Sequence, residues 1–200
     1  MKTRFLGKQN KNLKKSGKAL LDSIERIKED INIGVDIWNI YDFMYLDDKK
    51  IPHLLVLEII IPSKSNLIIE SKSMKIYLNH FYNRSFKSKP EILKIIKKDI
   101  ENRIKSNIKV KFISSFSNEP KTVNLNSLKS KSTPVKRVLK FNGFRSICPV
   151  TSQPDFANIY IYSDRSIETK WLTDYLISFR DHGGFHEQCI ELIFTKLKNK

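Results

Sequence analysis

Apolar positions along the chain change period several times, and each change marks an element. From Val35 to Asp47, "VDIWNIYDFMYLD" is rich in aromatic and β-branched residues, and the polar "DDKK" after it reads as a turn. "IPHLLVLEIIIP" follows between prolines, so the two segments predict a long hairpin. The period then lengthens. "ESKSMKIYLNHFYN" and "KPEILKIIKKDIENRIKS" predict helices, the second with Ile92, Ile95, Ile96, Ile100 and Ile104 on one side and Pro90 at its start. "NIKVKFISSF" returns to strand. After the polar stretch "SNEPKTVNLNSLKSKSTP", read as a linker leading into a second unit, "VKRVLKFNGF" and "FANIYIYSD" predict strands. "IETKWLTDYLISFRDH" and "FHEQCIELIFTKLKNK" predict helices separated by Gly183 and Gly184. A short helical piece, "ALLDSIERIKEDI", is expected before the first hairpin.

The order strand, strand, helix, helix therefore occurs twice, which predicts an α+β protein built from a repeated module. Three regions follow: a basic arm over 1–30, a first module over 31–127 and a second over 128–200. A helix pair needs a sheet to cover its apolar stripe, and the second module is expected to lack closing strands.

Composition narrows the function classes. No apolar run approaches the roughly 18–20 residues of a membrane helix, and the basic N-terminus has no apolar segment behind it, so a cytoplasmic protein is expected. Two cysteines build no disulfide framework. The net charge of +16 would suit an anionic partner. Yet it is mostly Lys, scattered except in the arm and in "LKSKSTPVKRVLK", and it is not interleaved with aromatics. Nucleic acid is not the expected direct partner, nor is a membrane.

Three stretches could carry chemistry. In "FRSICPVTSQPDF", Cys148 precedes a proline and Asp155 lies across a short polar loop. A thiol reacts as thiolate and needs a nearby group to move its proton; the alternative is an inert core cysteine. In "GGFHEQCIELIF", His186 and Glu187 open a helix, but Ile190 stands where a zinc-binding HExxH motif needs its second histidine, so no metal is expected. Glu187 could accept two hydrogen bonds from a planar N–H/NH₂ edge, or simply complement the helix dipole. Cys189 reads as core. In "IIESKSMKIYLNHF", Ser71, Lys72, Ser73 and Lys75 open a helix, where an anion could bind or water could simply solvate the turn.

Together these stretches resemble the NADPH-dependent 7-cyano-7-deazaguanine reductases, the nitrile reductases of queuosine biosynthesis. "ESKSMKIYLNHF" resembles the family's ESK-S-x-K-L-Y-L motif, "RSICPVTSQPDF" its catalytic loop and "FHEQCIELIF" its substrate-recognition helix, in the order of the two-module branch. "LGK", "GVDIWNIYDFMYLD" and "SFRDHGGFHEQC" extend the likeness over most of the chain. The resemblance implies a tandem tunnelling fold. It implies Cys148 as nucleophile toward the nitrile, Asp155 as proton handler, and Glu187 with His186 on the pyrimidine edge. Ile69, Glu70 and Ser71 would line the base, Ser71 and Lys72 would meet NADPH, and a homodimer is the expected assembly. Family members continue past the position matching Lys200 with further strands and an Arg-Gly segment that contacts NADPH. The chain is therefore expected to be shortened at that end, and the alternatives are a catalytically eroded module that only binds the base, or a basic RNA-associated protein.

Overall fold

The computed structural model describes residues 17–26, 31 and 33–200. Residues 1–16, 27–30 and 32 lie outside the described residues, and with them most of the expected N-terminal arm. Helices and sheets mix in an α+β architecture, and the chain divides into two compact units between Phe116 and Ser117.

In the first unit, β2 (Val35–Leu46), β3 (Pro52–Pro62) and β5 (Lys109–Ile113) form an antiparallel sheet in the order β2-β3-β5. A bulge between Ile40 and Phe43 changes the parity of β2. Trp38 and Ile40 face the core before it, Phe43 and Tyr45 after it. Two helices lie on that core: α1 (Ser71–Asn79) and α2 (Lys89–Ile104). The predicted stripe on α2 is buried at Ile92, Ile96, Ile100 and Ile104, with Ile95 at its margin. Burial of each such side chain contributes about 1.5–3 kcal/mol. The helix stops at Lys105, in the left-handed region at φ 57°.

The expected helical piece over 19–31 is not found where the chain is described. A 3₁₀ turn (Gly17–Leu20) is followed by a strand, β1 (Ser23–Glu25), paired antiparallel with β4 (Leu67–Ile69). Leu20, Leu21 and Ile24 have helix-like spacing and are all buried. A short isolated helix is marginal, whereas pairing with β4 satisfies the backbone. Arg26 and Asp22 add partly buried ion pairs to Asp36 and Arg103.

In the second unit, the polar stretch read as a linker contributes a short strand, β6 (Thr122–Asn124), parallel to β7 (Arg137–Ile147). The sheet runs β6-β7-β8, with β8 (Pro154–Ser163) antiparallel to β7. A second bulge, between Phe141 and Phe144, carries Gly143 at φ 72°. It changes inward parity from Leu139 and Phe141 to Phe144 and Ser146. Above the sheet lie α3 (Thr169–Ile177) and α4 (His186–Lys198), whose Leu172, Leu176, Cys189 and Ile193 complete this core. Among the described residues no strand pairs with the outer edge of β8. An open groove of about 780 Å³ runs beside it, lined by Ile159, Ile161, Ile190, Ile193, Phe194 and Leu197. In the first unit the strand after the second helix, β5, fills the matching position beside β3.

Candidate functional site

The chemistry-bearing residues of the second unit converge where β7 ends and α4 begins. Ile147 donates its N–H to His182 O at 2.9 Å and accepts from Gly184 N at 3.0 Å, so the turn before α4 is tied to the end of β7. Gly184 is packed close here: a Cβ on it would meet the His182 ring at 3.2 Å and Cys189 Sγ at 3.4 Å.

Cys148 follows immediately. Its N–H donates to Gln153 O (2.8 Å), and its carbonyl accepts from Ser152 N (3.0 Å), with Ser152 left-handed at φ 58°. Both backbone groups of the cysteine are thus fixed within a tight loop, and Pro149 keeps the strand from continuing. Its side chain is half-buried and reduced. Across the ladder Asp155 pairs with Ser146 and is half-buried as well.

The first turn of α4 supplies the remaining groups. His186 is exposed, Glu187 half-buried, and the Gln188 side chain accepts the Phe185 N–H at 3.2 Å, closing the helix start. Cys189 is 1% exposed, and burial pushes its thiol up from the usual cysteine range. The Ser146 hydroxyl partly offsets that shift, while the charges of Asp155 and Glu187 raise it further. Two carboxylates from different elements therefore bear on the Cys189 thiol, and one of them, Asp155, follows directly on the loop that holds Cys148. Of the two thiols, Cys148 is the accessible one and Cys189 belongs to the core.

In the first unit the predicted ESK residues sit at the junction of β4 and α1. Ile69 is buried, and Glu70 is wholly buried, its carboxylate capping α1 by accepting from Lys72 N (2.7 Å) and Ser73 N (2.8 Å). Ser73 is buried too and bonds to the backbone of Asp22. Ser71 and Lys72 are exposed. A small cavity of about 180 Å³ lies beside Ser71, bounded by Trp38, Asp42, Met74 and Lys75. Among the described residues no group of three or more His, Cys, Asp or Glu could hold a metal ion. None of the described helices is long and apolar enough to cross a membrane.

Residues 15–112 match the family model described as nitrile reductase, 7-cyano-7-deazaguanine-reductase N-term, and residues 154–200 match that of a QueF-like protein. Over 189 residues the chain is 36% identical to the NADPH-dependent 7-cyano-7-deazaguanine reductase of Buchnera aphidicola, covering 83% of this chain and 72% of that protein. The reductases of Desulfotalea psychrophila and Burkholderia vietnamiensis are each 34% identical, with 69% and 68% of their lengths covered. The chain belongs to the 7-cyano-7-deazaguanine nitrile reductase family.

Within that family assignment, the first match contains the ESK junction and the second contains Asp155, His186 and Glu187. Cys148 falls between the two matched stretches, so its standing comes from its own geometry. Sequence reasoning passed over Ser146 and Gln188, both buried polar residues of this neighbourhood. Ser146 reads as an ordinary strand serine until the bulge at 141–144 turns it inward.

Proposed function

We propose that the chain reduces the nitrile of 7-cyano-7-deazaguanine to the primary amine, with NADPH as reductant and Cys148 as covalent nucleophile. The two units are read as a pair of tunnelling-fold modules acting in the cytoplasm as a homodimer. The observation that carries the reading is the accessible Cys148, its backbone fixed at both ends in a loop that leads directly to Asp155, in a chain of this family.

A nitrile carbon accepts hydride poorly, and covalent capture converts it to a more receptive C=N carbon. The Cys148 sulfur forms a bond to that carbon as one π bond of the C≡N group breaks. The thiol proton passes to the nitrile nitrogen by way of Asp155. Glu187 accepts from the N–H and NH₂ of the pyrimidine edge, a charge-assisted pair of hydrogen bonds, with His186 beside it. Ile69 and Glu70 act through the shape of the α1 start, because the Glu70 carboxylate is engaged as its cap. The exposed Ser71 hydroxyl meets the base.

Lys72 and Ser71 fit a phosphate-bearing cofactor in charge and exposure; the amides of Lys72 and Ser73 are already taken by Glu70. Those two side chains would hold NADPH, each equivalent of which would supply one hydride, so that two bind in succession for the full reduction.

The test is intact-mass analysis of the chain mixed with the nitrile. The expected result is a one-to-one adduct that is lost in Cys148→Ala, with NADPH oxidised on further addition. In Asp155→Asn, capture should slow by about 10²–10⁴-fold, the range for a lost general acid–base, while base binding survives. An adduct without oxidation would identify a base-binding module instead. No adduct at all would end the proposal.

A further inference from the structure

Ser146 lies two residues before Cys148 and is 0% exposed. Its hydroxyl is one of five buried side-chain atoms without a hydrogen-bond partner among the described residues, and it alone of these adjoins Cys148 and Asp155. A buried hydroxyl left unpaired is costly compared with an apolar side chain of the same shape. Alanine would fill this position without that cost, so the hydroxyl needs a reason to be there.

Its surroundings supply one. Ser146 stands directly opposite Asp155 on β8, and opposed side chains in such a ladder are about 4.5–5.5 Å apart at Cβ. On the other side is Cys189, whose raised thiol the Ser146 hydroxyl partly offsets, although no hydrogen bond of good geometry joins the two. That sulfur has its own contact, 3.8 Å to Gly184 O. The Asp155 carboxylate makes no hydrogen bond or ion pair among the described residues. The titratable groups that bear on this spot are Glu187 and Cys189 from α4, with Cys148 two residues further along the chain and His186 exposed at the helix start. The neighbouring cation, Arg145, is engaged by Arg180 O and Asp181. Among the described residues no cation pairs with the Asp155 carboxylate, and the residue directly opposite it carries a neutral donor, the Ser146 hydroxyl.

We propose that Ser146 is a positioning residue: its hydroxyl turns from Cys189 to Asp155 and donates to the carboxylate, holding it toward Cys148 as the thiol proton leaves. The inference rests on the reading of Asp155 as the base for Cys148. The motion needs one change of staggered rotamer and moves one heavy atom. Donation to the charged form of a carboxyl favours that form, so the residue tunes the pH at which Asp155 works as well as where it points.

Ser146→Ala separates this role from a structural one. Three quantities are followed against the unaltered protein: the melting temperature, the rate of nitrile capture by intact mass, and the pH dependence of that rate. The expected result is an unchanged or raised melting temperature, since the substitution removes an unpaired polar atom. Capture should slow by about tenfold, the worth of one hydrogen bond. The acid limb of the rate profile should move to higher pH. An unmoved acid limb overturns the proposal, whether or not the rate falls. So does a melting temperature lowered by several degrees, because the hydroxyl would then have a structural partner. Normal capture by the unaltered protein with an unmoved profile in the variant defeats this inference alone. No capture by the unaltered protein at any pH defeats the Asp155 reading and this inference with it.

Discussion

Cys148 and Cys189 differ in burial, and that difference makes their reactivities predictable. A thiol-alkylating reagent at mildly alkaline pH should label the native chain once, at Cys148, and the second thiol only after unfolding. Peptide mapping that finds Cys189 labelled at a comparable rate would contradict the packing described. The same burial couples Cys189 to stability. Its thiol is raised in the folded chain, so the unfolded chain loses that proton first as pH rises. Stability from this group is complete below the ordinary cysteine pKa of about 8.5 and falls above it. Tyr77, also raised by burial and by Asp99, adds its own loss only above about pH 10. Between those limits Cys189→Val should flatten the decline of melting temperature with pH; an unchanged slope would assign the decline elsewhere. At this scale the placement of Cys148 and Asp155 on either side of a short loop, and of Glu187 at a helix start, could be read from the sequence. Ser146 could not, because its meaning depends on a bulge that re-aims the strand and on a partner nine residues further along the chain.

Elements divide by how local their determinants are. The α2 stripe was legible because four isoleucines at helical spacing need only a sheet beneath them. Ile100→Ala should cost about 2–5 kcal/mol, and Ile95→Ala less, since Ile95 is only partly buried; equal losses in chemical denaturation would mean the stripe is misdrawn. The opening of α1 was legible as a helix start, but the use of Glu70 was not. Its side chain could equally have faced a ligand, and only the fold shows both oxygens on backbone amides. Glu70→Ala should therefore lower stability by about 1–2 kcal/mol through the lost cap, an effect seen in thermal unfolding without any ligand. β1 was misread because Leu20, Leu21 and Ile24 suit a helix locally. What decides it is pairing with Leu67–Ile69, more than forty residues away. β6 was hidden in a polar stretch for a similar reason, since its pairing with β7 is what orders it.

Across the whole chain, the repeat of strand, strand, helix, helix was visible in the periodicities, and each unit carries a bulge in its first long strand. The bulges themselves were not visible, as one extra residue scarcely disturbs a hydrophobic pattern. The two sheets end differently. β3 is flanked on both sides, whereas β8 has a neighbour only on the β7 side among the described residues. Its ten residues contain no lysine and expose Phe156, Tyr160 and Tyr162. Natural sheet margins are commonly guarded by charge or proline, and here Pro154 and Asp155 guard only the first two positions. The practical consequence concerns the bottle rather than the reaction: concentrated samples of the 200-residue chain should thicken into aggregates seeded along this margin. Asn158→Lys, placing a cation mid-strand, should raise the concentration at which light scattering begins.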